Sequence, residues 1–194
     1  MTAINAIGSS QPSGDLSSTP MAFSLQSVSS RKTHGTSDVF NLPVRYSEPI
    51  VGNISVEPRI AGTGHLIVFS YSLPIVSFGA VTVEDTSGNT VGSATISSSG
   101  NEVLVKLAGI GDGLRVKVSV NNINGLHSSS AAVGFLVGDL DDSREVTSGD
   151  LSMVKALAGR RADVNTFKAD FNLSGNVTAG DVATVKARDG RKIP

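Results

Sequence analysis

The chain contains one sequence pattern twice near its carboxyl end, and this duplication constrains the fold more than any other feature. VGDLDDSREVTSGDLSMVKALAG begins at Val137, and KADFNLSGNVTAGDVATVKARDG begins at Lys168. When Asp139 is aligned with Asp170, the two stretches agree at Asp139/Asp170, Ser143/Ser174, Val146/Val177, Thr147/Thr178, Gly149/Gly180, Asp150/Asp181, Val154/Val185, Lys155/Lys186, Ala156/Ala187 and Gly159/Gly190. A repeated pattern predicts a repeated structural unit.

Each copy ends in a helical pattern. Apolar residues recur at three-residue spacing, as Leu151, Val154 and Leu157 in the first copy and as Val182 and Val185 in the second. A glycine follows each pattern, at Gly159 and Gly190, where a helix is expected to end. The repeated unit is therefore a loop followed by a short helix.

Each loop carries oxygen-bearing side chains at positions 1, 3, 5, 9 and 12, counted from its first aspartate. In the first loop these are Asp139, Asp141, Ser143, Thr147 and Asp150. In the second they are Asp170, Asn172, Ser174, Thr178 and Asp181. A 12-residue loop with this spacing wraps one calcium ion and adds the backbone carbonyl of position 7, here Glu145 and Asn176. The spacing therefore predicts up to two bound calcium ions.

Helix capping offers a second interpretation of the same residues. Thr147-x-x-Asp150 and Thr178-x-x-Asp181 both match a capping box. One such loop would leave the two interpretations evenly balanced. Oxygen donors at five matching positions in both copies, with valine at position 8 of each, favour calcium.

The unit is not a full EF-hand, because the segment entering the first loop, AAVGFLVG, is β-like and because each loop ends on Asp rather than a bidentate Glu. A duplicated loop and helix with Asp at position 12 resembles the type I dockerin module, over about residues 138 to 190. The resemblance implies calcium binding and docking to a cohesin. Ser143, Ser174 and Arg144 depart from the usual Asp at position 5 and Gly at position 6, and these departures lower the expected calcium affinity.

The resemblance also implies which residues recognise a partner. In dockerins these are loop positions 10 and 11 and the following basic residues, which correspond here to Ser148, Gly149, Lys155, Ala179, Gly180 and Lys186. Gly and Ala where a hydroxyl pair is usual argue against tight recognition of the familiar kind. The function predicted is a non-catalytic calcium-binding module that anchors or docks a secreted protein, with a cohesin in a polysaccharide-degrading or cell-surface assembly as the candidate partner. The alternative is a calcium-stiffened spacer without a cohesin.

The region from 21 to 137 consists of short β-rich runs separated by Gly, Asn, Ser and Pro. Several alternate with period two, such as Val103, Val105 and Leu107. Seven or eight strands predict a mainly β fold, an immunoglobulin-like antiparallel sandwich at 21–137, before a small helical dockerin-like domain at 138–194. SRKTHG, FNLPV and VGFLVGD are similar to the sandwich that precedes dockerin repeats at the ends of large secreted bacterial proteins. This similarity implies an extracellular or cell-surface location.

The remaining features exclude other classes of function. A net charge of −1 gives no basic patch for nucleic acid, and no apolar run is long enough to span a membrane. With no Trp and two Tyr, an aromatic platform for carbohydrate is not expected. Residues 1–20 are small and polar and are predicted to be a disordered lead-in without a signal peptide. No catalytic motif is found, and His34, His65 and His127 are interpreted as surface or turn residues.

The carboxylate count predicts that the first loop binds calcium more tightly than the second. The first loop presents Asp139, Asp141 and Asp150, whereas the second presents Asp170 and Asp181. One additional charge about 4 Å from a divalent ion contributes several kcal/mol at an effective dielectric constant of about 20. Calorimetric titration of Asp139→Ala and Asp170→Ala tests the order. Loss of the tighter phase in Asp170→Ala alone would contradict it.

Overall fold

Two β-sheets contain most of the regular secondary structure in the computed structural model, which describes residues 22–194. The lead-in predicted for residues 1–20 lies outside the described residues. The strands are β1 Leu25–His34, β2 Asp38–Val44, β3 Ser55–Glu57, β4 His65–Tyr71, β5 Val81–Glu84, β6 Ser93–Ser99, β7 Glu102–Ala108, β8 Leu114–Ile123 and β9 His127–Phe135. The predicted mainly β architecture is confirmed.

The two sheets pack face to face as a sandwich. One sheet has the strand order β2-β1-β4-β7-β6, and the other has the order β3-β9-β8-β5. The pairs are antiparallel except β3 with β9, which run parallel at one edge. Between the sheets lies an apolar core whose inward residues alternate along the strands, such as Val103, Val105 and Leu107 on β7.

The alternation of apolar residues that predicts strands elsewhere in the sandwich does not identify strand β1. Its buried residues near the end are Ser30, Lys32 and His34, so its inward face is polar. Hydrophobic alternation is the signal that identifies a half-buried strand, and this strand lacks it after Val28. The difference matters because β1 carries polar side chains towards the carboxyl-terminal repeats.

Two short α-helices follow the sandwich, α1 at Ser148–Leu157 and α2 at Ala179–Lys186. Between them, Phe167–Ala169 form one turn of 3₁₀ helix. Thr147 and Thr178 are the N-cap residues, so each helix begins within the predicted calcium loop. Among the described residues, we find no helix with the length and apolar character needed to cross a membrane.

A second apolar core joins the two parts of the chain. It contains Val146, Val154, Val177 and Val185 at matching positions of the two repeats. Residues of the sandwich and of its exit complete this core: Val56 on β3, and Leu136 and Val137 after β9. The repeats therefore complete their small core with side chains supplied by the sandwich.

Leu136→Ala should lower the free energy of unfolding by about 3 kcal/mol, because truncating a buried leucine leaves a cavity. Leu136 is 1% exposed in the joint core. Leu126, which is 89% exposed, is the matched control, and Leu126→Ala should change stability by less than about 0.5 kcal/mol. Urea unfolding measures both values. Equal effects of the two substitutions would contradict the assigned core.

Candidate calcium-binding loops

The first predicted loop, residues 139–150, brings three carboxylates into one small volume. Asp139, Asp141 and Asp150 each contribute an oxygen, and these oxygens lie within 4.8 Å of one another. Asp139 and Asp150 are buried, whereas Asp141 is exposed. Carboxylate oxygens are hard ligands of the kind that calcium binds. The donor set of this loop therefore fits that ion.

The backbone of the first loop turns around Asp139. Its carboxylate accepts hydrogen bonds from the N–H groups of Ser143 at 3.0 Å and Arg144 at 2.7 Å. The Ser143 hydroxyl donates to the carbonyl of Glu145 at 3.0 Å. These bonds bring together the side chains predicted at positions 1 and 5 and the carbonyl predicted at position 7.

Asp150 closes the first loop from its other end. One carboxylate oxygen accepts from the N–H groups of Leu140 at 2.7 Å and Asp141 at 3.2 Å. The other accepts from the N–H group of Thr147 at 2.8 Å and from its hydroxyl at 3.1 Å. The predicted capping box is therefore confirmed in α1. Helix capping and loop closure are compatible, because one oxygen of Asp150 accepts from the start of the loop and the other accepts from Thr147 at the helix cap.

The second loop, residues 170–181, repeats this arrangement with one carboxylate fewer. Asp170 accepts from the N–H groups of Ser174 at 2.9 Å and Gly175 at 2.7 Å. Asp181 accepts from the N–H group of Asn172 at 3.2 Å and completes the capping box of α2. The same local sequence thus produces the same turn twice.

Both loops adopt left-handed backbone at positions 4 and 6. The φ angles are 65° at Asp142 and 72° at Arg144 in the first loop, and 62° at Leu173 and 90° at Gly175 in the second. A residue with a Cβ in this region costs roughly 1–2 kcal/mol. The missing glycine at position 6 of the first loop therefore does not prevent the turn, but it adds strain.

Position 8 of each loop pairs with the end of the other repeat. Val146 donates its N–H to the carbonyl of Arg191 at 2.7 Å and accepts from the N–H of Gly190 at 2.8 Å. Val177 makes the equivalent bonds with Arg160 and Gly159, both at 2.8 Å. The two repeats are thus related by an approximate twofold arrangement. Each loop is held by the segment that follows the opposite helix.

Electrostatics distinguish the two first-position aspartates. Burial raises the pKa of Asp139 to about 7, although the N–H groups of Arg144 and Ser143 act in the opposite direction. Burial would also raise the pKa of Asp170, but hydrogen bonds from His34 and Gly175 outweigh it, so that pKa is lowered. The carboxylate of Asp170 is therefore held ionised more firmly than that of Asp139.

The residues predicted to contact a partner are all exposed. Two pairs lie in the first turns of the helices, Ser148 and Gly149 on α1 and Ala179 and Gly180 on α2. Lys155 and Lys186 lie in the last turns of the same helices and are also exposed. These residues are accessible to a second protein, and their role in recognition stays a prediction.

The contribution of the sandwich to the second loop was not predicted from the sequence. His34 is fully buried, and its Nδ1 lies 2.8 Å from a carboxylate oxygen of Asp170. The interpretation of His34 and His65 as surface or turn residues is wrong, because both are buried. Period-two placement of Ser30, Lys32 and His34 on one strand was the available signal. It went unused because polar residues are usually assigned to the solvent face.

Comparison with protein families agrees with this geometry. Residues 137–188 match the family model of the dockerin type I domain. This match confirms the predicted dockerin-like repeat after a β-rich region. A search of curated proteins gave no match.

In calcium-free buffer, Asp139 should make stability fall as pH rises from about 4 to about 7. Its pKa in the folded protein is about 7, whereas an aspartate in an unfolded chain titrates near 3.9, so the folded state binds the additional proton in this window. Asp139→Asn removes the titration. The free energy of unfolding of wild type, relative to that of the variant, should therefore fall by roughly 2–4 kcal/mol as the pH rises over this range. Urea unfolding in chelator measures both proteins, and a difference that is constant with pH would contradict this assignment.

Proposed function

We propose that this chain is a non-catalytic calcium-binding docking module that attaches a secreted or cell-surface protein to a cohesin-type partner. Dockerin domains are calcium-binding modules that dock to cohesins, and residues 137–188 match that family. The observation that carries the proposal is the convergence of Asp139, Asp141 and Asp150 within 4.8 Å in a loop of calcium-binding spacing.

The ligands proposed for the two ions follow the predicted positions. The first loop would use Asp139, Asp141, Ser143, Glu145, Thr147 and Asp150, with Glu145 contributing its carbonyl. The second would use Asp170, Asn172, Ser174, Asn176, Thr178 and Asp181, with Asn176 contributing its carbonyl. A divalent ion supplies positive charge where buried carboxylates gather and so offsets their desolvation. Because the loops also begin both helices, ordering the loops would orient α1 and α2.

The docking face proposed is the outer surface of α1 and α2. Val154 and Val185 point into the core, while Lys155 and Lys186 of the same helices are exposed. Met153 adds a partly exposed apolar side chain on α1. A mixed basic and apolar surface suits a protein partner with acidic and apolar groups.

The alternative is a calcium-stiffened spacer without a cohesin. The core shared between the repeats and the sandwich, through Val56 and Leu136, favours a single stiff unit. The absence of hydroxyl side chains at Gly149, Ala179 and Gly180 also favours weak or different recognition. Both candidates require calcium, and they differ only in the partner.

Calorimetry on the full chain after chelator treatment tests the calcium step. We expect calcium binding together with slower amide exchange in residues 138–190. Binding to immobilised recombinant type I cohesins, in calcium and in chelator, then tests docking. Lys155→Glu combined with Lys186→Glu should abolish calcium-dependent binding, while the exposed sandwich residue Lys106 provides the control Lys106→Glu. Calcium binding without any cohesin binding would favour the spacer, and no calcium binding would refute both.

A further inference from the structure

A buried polar cluster connects the sandwich to the second loop. Arg59 contacts both carboxylate oxygens of Glu57 at 2.7 Å, and its Nη1 lies 3.0 Å from Nε2 of His34. Nδ1 of His34 lies 2.8 Å from Asp170. All four side chains are fully buried. Burying a charged group is costly unless it is paired. Each side chain of this cluster is therefore held in the position that keeps its neighbours paired.

The neighbours of His34 determine which of its nitrogens carries the proton. A guanidinium group has only donors, so Nε2 must accept from Arg59. Nδ1 therefore carries the hydrogen and donates it to Asp170. This bond goes to Oδ2, the oxygen that also accepts from the N–H of Gly175 at 2.7 Å, while Oδ1 accepts from Ser174 at 2.9 Å. The orientation of the Asp170 carboxylate is thus set from outside the loop.

The backbone of the sandwich also holds the second loop. The N–H of Gly35 donates to the carbonyl of Leu173 at 2.8 Å, and the N–H of Ile60 donates to that of Phe171 at 2.9 Å. Gly35 and Gly175 pack so closely that a Cβ on Gly175 would lie 3.3 Å from the Cα of Gly35. The loop is therefore fastened on both sides of its position-3 residue.

Within residues 22–194, no side chain of the sandwich donates a hydrogen bond to Asp139, the first aspartate of the first loop. Two other residues of this loop contact the sandwich: Asp142 accepts from the N–H of Val56 at 2.6 Å and pairs with Arg45 at 2.6 Å, and the side chain of Arg144 donates to the side chain of Asn53. Asp142 is at position 4, which is not a proposed ligand. The sandwich therefore contacts a proposed ligand, Asp170, in the second loop, and residues at positions 4 and 6, which are not proposed ligands, in the first.

We propose that His34 is a positioning residue for calcium binding by the second loop, so that the sandwich completes this site. The inference rests on the proposed calcium function. By donating to one oxygen of Asp170, His34 leaves the carboxylate oriented before the ion arrives. Hydrogen-bond partners that orient metal ligands in this way typically contribute about 10- to 100-fold to metal affinity. The second loop should lose affinity on this scale when the donor is lost, and the first loop should not.

Two substitutions separate the two bonds of His34. In His34→Asn, the amide nitrogen can occupy the place of Nδ1 and still donate to Asp170. In His34→Gln, the longer side chain can still accept from Arg59 but offers no donor to Asp170. A purely structural role would make the two variants alike. A positioning role predicts that His34→Gln weakens calcium binding at the second loop about 10- to 100-fold, whereas His34→Asn leaves it unchanged.

Amide NMR of the full chain during addition of calcium chloride measures each loop separately. The N–H of Arg144 reports on the first loop and that of Gly175 on the second, because each donates to its first aspartate at 2.7 Å. An equal effect of both substitutions at Gly175, or no effect, would overturn the positioning role. If neither amide responds in wild type, the proposed calcium function itself fails.

A measurement on wild type keeps the test valid if both variants fail to fold. The Nδ1 proton of His34 should be visible in proton spectra and should shift with the calcium isotherm of Gly175. A proton that follows Arg144 instead, or that does not respond while Gly175 does, would contradict the inference.

Discussion

Four buried aspartates impose the main constraint on the carboxyl-terminal part of this protein. Asp139, Asp150, Asp170 and Asp181 are at most 1% exposed, and an ionised carboxylate away from water is costly unless hydrogen-bond donors or cations surround it. The chain meets this need mainly with backbone N–H groups, which the loops turn inward. The path of each loop and the start of each helix follow from supplying those donors.

The two repeats meet this constraint differently, although their sequences are closely similar. Asp170 gains a side-chain donor from the sandwich, His34, whereas Asp139 depends on backbone groups and has a raised pKa. Arg59 contacts both the sandwich and the repeat region. It pairs with Glu57 on β3, and its guanidinium carbon lies 5.2 Å from the ring centroid of Phe167, between the two helices. The sandwich thus supplies a hydrogen-bond donor to a residue of the second loop.

Local patterns predicted the elements whose causes are local. The position of both loops, the threonine caps and the starts of the two short helices followed from spacing within about a dozen residues, and the structure has them where they were expected. The end of α2 differs, because this helix stops at Lys186, before the glycine at 190 that was expected to end it. The alternation of Val103, Val105 and Leu107 likewise predicted a strand of the sandwich, β7. Strand β1 was missed because its inward residues are polar, and a pattern of apolar residues cannot identify a strand whose role is to bury Lys32 and His34.

The sequence by itself determined that this chain contains a duplicated loop and helix. The oxygen donors of each loop lie within one short segment, and their spacing along the chain does not depend on tertiary contacts. Only the tertiary structure decided that the second loop receives a donor from the sandwich. His34 and Asp170 are 136 residues apart in the chain, and no local sequence pattern around either residue indicates the contact. Their contact arises because β1 ends at the loop and because Arg59 occupies the other side of the imidazole, which directs its single proton towards Asp170.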